Sequence, residues 1–212
     1  MRLGGSARYL VEVHSKAQLE KAIIWAKSKG IKALVIGLGS NTIFQDDGFD
    51  GLVCLNKILG INIISEDSKS VILEVGAGEV WDDFVEYSTK LNLSGIEALS
   101  LIPGTVGAAP VQNIGAYGQE VSRTVLSVSA YDSKAEKFVK LSAKDLAFGY
   151  RTSKLKTPLE KRHLYIYTVT FKLSKSFALE RPFYDSLEDF FTKSNQHSPN
   201  PANIRKAVIS IR

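Results

Sequence analysis

The sequence predicts an α+β fold, because helix-like and strand-like segments follow one another without regular alternation. Residues 19–26 carry apolar side chains at helical spacing, whereas residues 33–36 form a short apolar run typical of a buried strand. Between residues 165 and 173 every second side chain is apolar or aromatic, which predicts a long strand with one buried face. This irregular order favours α+β over a doubly wound sheet, in which helices and strands alternate.

The N-terminal elements predict a small lobe, which we assign to residues 1–59. Ser15 begins a capping-box pattern, and the helix that follows it is expected to end at Gly30. The strand over 33–36 comes next, and a second strand is predicted over 51–55 after a polar turn.

A larger lobe is predicted over residues 60–212. Its expected elements are a strand over 71–75, a helix over 80–91, a hairpin with strands 125–131 and 137–139, a short helix at Ser142 and Asp145, the long strand, and a helix over 201–212. Asn200 caps the last helix, which reaches Arg212 without a terminating glycine or proline. We therefore expect the chain to be truncated there.

Composition and charge are those of an ordinary globular chain. Of the 212 residues 44% are hydrophobic, and the net charge of +5 is spread along the chain without a basic run. No apolar run approaches the ~20 residues of a membrane span. The only cysteine, Cys54, lies in an apolar run and is predicted to be a buried structural thiol. We expect a cytoplasmic protein without nucleic-acid or membrane partners.

A first glycine-containing segment follows the predicted strand over 33–36. Its residues are Gly37, Leu38, Gly39, Ser40 and Asn41. Two glycines allow a sharp turn with exposed N–H groups, which suits a phosphate, although a simple tight turn is an equally good interpretation. Thr42 stands where a dinucleotide fingerprint needs Gly or Ala, which disfavours a Rossmann site.

A second segment, residues 101–118, contains four glycines and two prolines and has no periodicity. Such a segment allows a long, close approach of the backbone to a ligand. The side-chain amides of Gln112 and Asn113 suit the polar edge of a heterocycle. The alternative is a mobile linker, but linkers contain fewer Ile, Val and Tyr residues.

The third segment, residues 148–153, places Arg151 beside a glycine and an aromatic residue. A rigid guanidinium there offers two parallel donors to a carboxylate or phosphate, although an arginine in a loop is usually a solvated surface residue. His14, His163 and His197 lie far apart without metal-ligand spacing, so we expect no metal site.

The run from Ile102 to Gly118 resembles the signature of UDP-N-acetylenolpyruvoylglucosamine reductases. Residues 37–41 are similar to that family's flavin pyrophosphate loop, and residues 148–153 to its Tyr-Arg segment, in the same order and spacing. The first segment alone would also suit other flavoproteins of the vanillyl-alcohol-oxidase superfamily. The resemblance implies a two-lobed FAD-binding fold of the vanillyl-alcohol-oxidase type.

The family uses NADPH and bound FAD to reduce the enolpyruvyl ether of a UDP-sugar, giving UDP-N-acetylmuramate for peptidoglycan synthesis. The resemblance implies that Arg151 holds the substrate carboxylate and stabilises an enolate-like intermediate. Tyr150 would shape the pocket, and Tyr184 would cover the nucleotide-sugar. The implied FAD-binding residues are Gly37, Leu38, Gly39, Ser40, Asn41, Ile102, Pro103, Gly104, Gly107, Ala108, Ala109, Gln112, Asn113, Gly115 and Tyr117.

The sequence departs from the family in two ways. Ala108 and Ala109 replace serines of some members, so backbone N–H groups would replace hydroxyls at the flavin phosphates. The family's substrate-binding lysine, its Gly-Asn-x-Gly-Ser-Phe-Phe stretch with the proton-donating serine, and its final glutamate are not among these 212 residues. We therefore expect a catalytically inactive FAD-binding fragment. The alternatives are a natural short flavin-binding module and, less favoured, a flavin oxidase with another substrate.

Overall fold

The computed structural model describes residues 4–177, 184–193 and 199–212, and its two larger sheets use different parts of the chain. The strands are β1 (Ala7–Val13), β2 (Lys32–Ile36), β3 (Phe49–Asn56), β4 (Ile61–Glu66), β5 (Ser70–Gly76), β6 (Gly115–Ala116), β7 (Gln119–Glu120), β8 (Val125–Asp132), β9 (Lys137–Ser142) and β10 (Leu164–Ser174). The helices are α1 (Lys16–Ser28), α2 (Trp81–Lys90), α3 (Asp185–Lys193) and α4 (Pro201–Ile211).

A three-stranded parallel sheet in the order β1-β3-β2 carries α1. The predicted cap is confirmed, since Ser15 Oγ accepts a hydrogen bond of 3.2 Å from the Gln18 amide. The helix buries Leu19 and Ile23 in a cluster that also contains Cys54. Burial raises the pKa of the Cys54 thiol to about 11, so the predicted buried thiol is confirmed.

A five-stranded antiparallel sheet has the order β4-β5-β10-β8-β9. The predicted long strand is β10, which lies at its centre. Helix α2 packs on this sheet, with the rings of Phe84 and Phe171 4.9 Å apart and Trp81 fully buried beside them. On the same sheet, Tyr131 and Tyr165 join the cluster under α1, so aromatic packing connects the two sheets.

The helix predicted at Ser142 and Asp145 is wrong, because residues 143–147 form a turn. The capping contacts do form: Ser142 Oγ donates to Asp145 Oδ2 at 2.6 Å, and the Ser142 amide donates to the same oxygen at 2.9 Å. Ala147 then adopts a left-handed backbone with φ of 45°, which ends the turn before a helix can propagate.

Four strands and one α-helix of the described structure were not predicted from the sequence: β1, β4, β6, β7 and α3. Strands β6 and β7 have two residues each, too few to show a periodic pattern. Strands β1 and β4 lie at sheet edges and leave most of their side chains exposed or half-exposed, so they lack a clean alternation. Helix α3 buries only Leu187 and Phe191. The predicted helix α4 is confirmed, with Asn200 Oδ1 accepting from the Asn203 amide at 2.9 Å, and it packs against α3 and Ala98. Among the described residues, no helix combines the length and apolarity that a membrane crossing requires.

Candidate functional site

A cavity of about 530 Å³ lies between the end of β2 and the second glycine-containing segment. This volume is within the range of small-molecule and cofactor sites. Most residues that the sequence identified line it: Gly37, Leu38, Gly39, Ser40, Asn41, Ile102, Pro103, Gly104, Gly107, Ala108, Ala109 and Gln112. The two segments, far apart in the sequence, therefore form one site.

The first segment contacts the second beside the cavity, and the second also contacts Ala77, which follows β5. A Cβ atom on Gly37 would lie 2.7 Å from the Cγ2 methyl of Thr105 and closer still to its hydroxyl. A Cβ atom on Gly107 would lie 2.6 Å from the Cβ of Ala77. Across the opening, Asn41 Nδ2 donates to Gln112 Oε1 at 3.1 Å. Glycine is required at positions 37 and 107 because any side chain would separate the cavity walls.

The first segment presents backbone donors to the cavity. Within the described part of the chain, the N–H groups of Leu38, Gly39 and Ser40 have no hydrogen-bond acceptor. Unpaired N–H groups at consecutive residues form a concave positive region that suits an anion such as a phosphate. Exposure to the cavity allows a ligand or water to satisfy these groups.

Two cationic residues at the cavity were missed by the sequence analysis. Lys156 and Arg162 line it, and no acidic side chain does so among the described residues. The Lys156 ammonium also donates to the Arg151 carbonyl at 3.1 Å, and Arg162 Nη2 donates to the Thr157 carbonyl at 3.3 Å. Their loop has no glycine or motif to mark it in the sequence, although it is rich in basic residues.

The N-terminus of α2 holds the second segment at two points and Leu99, just before it, at a third. Trp81 Nε1 donates to the Leu99 carbonyl at 2.9 Å, and the Trp81 amide donates to the Gly104 carbonyl at 3.0 Å. Between them, the Leu101 amide donates to Asp82 Oδ1 at 2.7 Å. Leu101 has a left-handed φ of 58°, which is unfavourable for leucine, so these bonds stabilise a conformation that the residue would not adopt alone.

Asp82 in turn binds helix α4 through a two-point ion pair. Arg205 donates to Asp82 Oδ1 at 2.6 Å and to Oδ2 at 2.9 Å, and both side chains are largely buried. The arginine holds the pKa of the Asp82 carboxyl below its usual range, and the carboxylate raises the pKa of Arg205. Helix α4 is therefore coupled to the start of the cavity-lining segment.

Tyr150 and Arg151 lie at the tip of a turn and do not line the cavity. Tyr150 is 84% exposed, and Arg151 has a left-handed φ of 54°. The backbones of Gly149 and Thr152 close the turn with reciprocal hydrogen bonds of 3.0 and 3.2 Å. The turn thus exposes Tyr150 and Arg151 to solvent, while the two backbone hydrogen bonds between Gly149 and Thr152 close it.

The remaining predicted residues lie outside the cavity lining. Gly115 belongs to β6, and the side chain of Asn113 is buried and hydrogen-bonded within the protein. The Tyr117 ring lies 6.1 Å from the Tyr184 ring and 5.8 Å from the Arg212 guanidinium, so these three form a separate cluster. His197 lies outside the described residues, and the described ones contain no group of His, Cys, Asp and Glu that could hold a metal ion.

Comparison with known proteins defines the class. Residues 7–142 match the FAD binding domain family, and the chain belongs to that family. Its fold is similar to that of 6-hydroxy-D-nicotine oxidase from Arthrobacter nicotinovorans, with a TM-score of 0.57 and 19% identity over 78% of this chain and 36% of that one. The predicted α+β fold of the vanillyl-alcohol-oxidase type is confirmed.

A more specific similarity covers nearly the whole chain. It is 38% identical over 207 residues to the UDP-N-acetylenolpyruvoylglucosamine reductase of Paraburkholderia phymatum, covering 97% of this chain and 59% of that protein. The structure of UDP-N-acetylenolpyruvylglucosamine reductase from Thermus caldophilus superposes with a TM-score of 0.66 at 23% identity, covering 95% of this chain and 62% of that one. The resemblance seen in the sequence is confirmed, and the chain spans about 60% of the length of these relatives.

The cavity residues fit FAD. Unpaired N–H groups and two cations suit the diphosphate, and apolar residues such as Ile102, Val111 and Ile166 suit flat aromatic rings. The close approach at Gly37 leaves the backbone, rather than side chains, to face the ligand.

We predict that Gly37→Ala weakens FAD binding about 5- to 150-fold, because the added methyl group forces the cavity walls apart at an overpacking cost of roughly 1–3 kcal/mol. Fluorescence titration of FAD measures the affinity. Thr105→Ala in the Gly37→Ala background removes the atoms nearest the new methyl group and should restore part of the loss. Gly30→Ala is the control for general destabilisation, because it lies outside the cavity with open space around its Cβ but has a left-handed φ of 65° that alanine disfavours. Equal effects of Gly37→Ala and Gly30→Ala would contradict the proposed packing.

We also predict a pH-dependent contribution of Asp82 to stability. Because its folded-state pKa is lowered, the stabilisation is present above the ordinary Asp pKa of about 3.9 and is lost as pH falls through the folded-state pKa. Asp82→Asn should lower the unfolding free energy at pH 7 by about 1–3 kcal/mol, with the difference shrinking below about pH 4.

Urea denaturation of both proteins between pH 2.5 and 7 measures this difference, the lower limit being about 1.4 units under the ordinary pKa. Asp50→Asn, which breaks the exposed pair with Arg8, should change stability by less than about 1 kcal/mol at any pH. A pH-independent loss in Asp82→Asn would show that the carboxylate charge is not the source of the stabilisation.

Proposed function

We propose that this chain is the FAD-binding part of a UDP-N-acetylenolpyruvoylglucosamine reductase, made of lobes 1–59 and 60–212. Its reaction would be the NADPH-dependent reduction of UDP-N-acetylglucosamine enolpyruvate to UDP-N-acetylmuramate, for peptidoglycan synthesis in the cytoplasm. One observation carries the proposal: residues of the run 102–118, which resembles the signature of these reductases, line a cavity whose donors fit FAD.

In this proposal the two glycine-containing segments bind FAD. The N–H groups of residues 38–40, with Lys156 and Arg162, bind the diphosphate, and Asn41 and Gln112 close the opening through their hydrogen bond. FAD, when bound, supplies hydride transfer between NADPH and the double bond of the substrate.

Arg151 and Tyr150 are proposed to act on the substrate rather than on FAD. Their exposure leaves the guanidinium available to pair with a carboxylate through two parallel hydrogen bonds. The positive Arg151 guanidinium, paired with that carboxylate, would stabilise the negative charge that develops when the adjacent double bond accepts a hydride. Tyr184, 65% exposed beside Tyr117, is proposed to cover the nucleotide-sugar.

The 212 residues alone are proposed to bind FAD without turnover. The family's proton-donating serine and substrate-binding lysine occur in stretches that this sequence does not contain. Without a proton donor beside the substrate, reduction of its double bond cannot be completed.

We predict saturable FAD binding by this chain, with no NADPH oxidation dependent on the enolpyruvyl UDP-sugar. A chimera carrying the remaining part of the Paraburkholderia phymatum relative should oxidise NADPH at a rate of order 10 per second. Flavin-fluorescence quenching and the absorbance of NADPH measure the two properties. FAD binding without turnover by a folded chimera would instead indicate a flavin-binding module, and the lack of saturable FAD binding would contradict both functions.

A further inference from the structure

Asn113 lies at the junction between the cavity-lining segment and the Tyr150–Arg151 turn. It is 1% exposed and has a left-handed φ of 46°, a conformation that asparagine tolerates better than most residues. Its neighbour Gln112 lines the cavity and bonds to Asn41, whereas Asn113 does not line the cavity. The two adjacent amides therefore serve different parts of the molecule.

The hydrogen bonds of Asn113 fix the orientation of its amide. Nδ2 donates to Glu120 Oε2 and to the Gly149 carbonyl, each at 3.0 Å. Oδ1 accepts from the Ser122 amide, also at 3.0 Å. The reversed amide would bring oxygen towards two acceptors and nitrogen towards a donor, so only this orientation satisfies the surroundings. Both N–H bonds of the amide are used within the protein.

A second bond fixes the other side of the same turn. Ser153 Oγ donates to the Val111 carbonyl at 2.8 Å, and Ser153 is largely buried. Residues 111 and 113 of the cavity-lining segment thus hold residues 153 and 149, which flank Tyr150 and Arg151. Because the turn contains a left-handed Arg151, its conformation costs energy that these outside bonds offset.

We propose that Asn113 is a positioning residue that fixes the Tyr150–Arg151 turn on the segment lining the FAD cavity. Asn113 holds the turn by donating to the Gly149 carbonyl. The position of the Arg151 guanidinium therefore depends on the backbone of the segment that lines the proposed FAD cavity. The consequence for substrate binding rests on the proposed function. The link between Asn113 and the turn does not depend on the proposed function, and it is tested without any reductase activity.

A nitroxide spin label at Tyr150→Cys reports the mobility of the turn. The chain suits this experiment because its one native cysteine, Cys54, is fully buried with a pKa raised to about 11 and does not react with the label. Tyr150 is exposed, so the label replaces no packed side chain.

Two substitutions remove the bond from Asn113 to the turn, and both also remove its bond to Glu120. Asn113→Gly removes the amide while accepting the left-handed backbone without strain. Asn113→Asp keeps the size and the acceptor for the Ser122 amide but cannot donate to Gly149. In both, we expect the ratio of mobile to immobile label to rise at least about tenfold, the equivalent of losing the one bond that reaches the turn, ~1.4 kcal/mol.

Gln119→Ala is the matched control, because it removes another buried amide whose bond goes to the Ala98 amide and not to the turn. It should leave the ratio of mobile to immobile label unchanged, while its thermal unfolding reports any general loss of stability. An unchanged label in Asn113→Gly and Asn113→Asp would overturn the proposal. So would equal mobility in Gln119→Ala, which would indicate general loosening of the region.

The same link is measurable by hydrogen exchange without a label. The Thr152 amide, which donates to the Gly149 carbonyl, should exchange about tenfold faster in Asn113→Gly than in the unsubstituted chain. Unchanged exchange at Thr152 would also overturn the proposal. Failure of the chimera to turn over would contradict the reductase function and leave this link standing.

Discussion

The cavity depends on two close contacts of glycines that line it, Gly37 and Gly107, where a side chain would overlap its neighbour. Gly37 lies against Thr105, and Gly107 lies against Ala77, at distances where a single methyl group would overlap. The Gly37 contact joins the end of the small parallel sheet to the loop that precedes β8 in the large sheet, and the Gly107 contact holds that loop against the end of β5. The two sheets can therefore share a ligand site only while these positions remain glycine.

The second segment has little regular structure, and side chains from several elements give it its shape. Trp81 and Asp82 hold its beginning from the N-terminus of α2, and Asp82 is itself bound by Arg205 of α4. Asn113 and Ser153 join its later part to the turn that carries Arg151. A loop of this kind is rigid because side chains of other elements form hydrogen bonds with its polar groups.

Local signals were sufficient to predict much of the fold and both cavity-lining segments. Ser15 and Asn200 mark helix starts by their own side chains, and the glycine content of the two segments is visible in the composition. Long-range pairings carry no such signal: Asn41 meets Gln112 from 71 residues away, and Lys156 reaches the cavity from a loop without a motif. The helix predicted after Ser142 is wrong because a capping pattern in the sequence does not show that Ala147 adopts a left-handed backbone and ends the turn.

The central claim is that FAD binds between these two segments. Hydrogen exchange of the backbone amides, compared with and without FAD, tests it most directly. We predict slower exchange on FAD binding at residues 38–41 and at residues 104–109. The first range includes the N–H groups that have no hydrogen-bond partner among the described residues. The exposed turn over 149–152 should change little. Protection confined to that turn, or no protection in either segment at saturating FAD, would contradict the account.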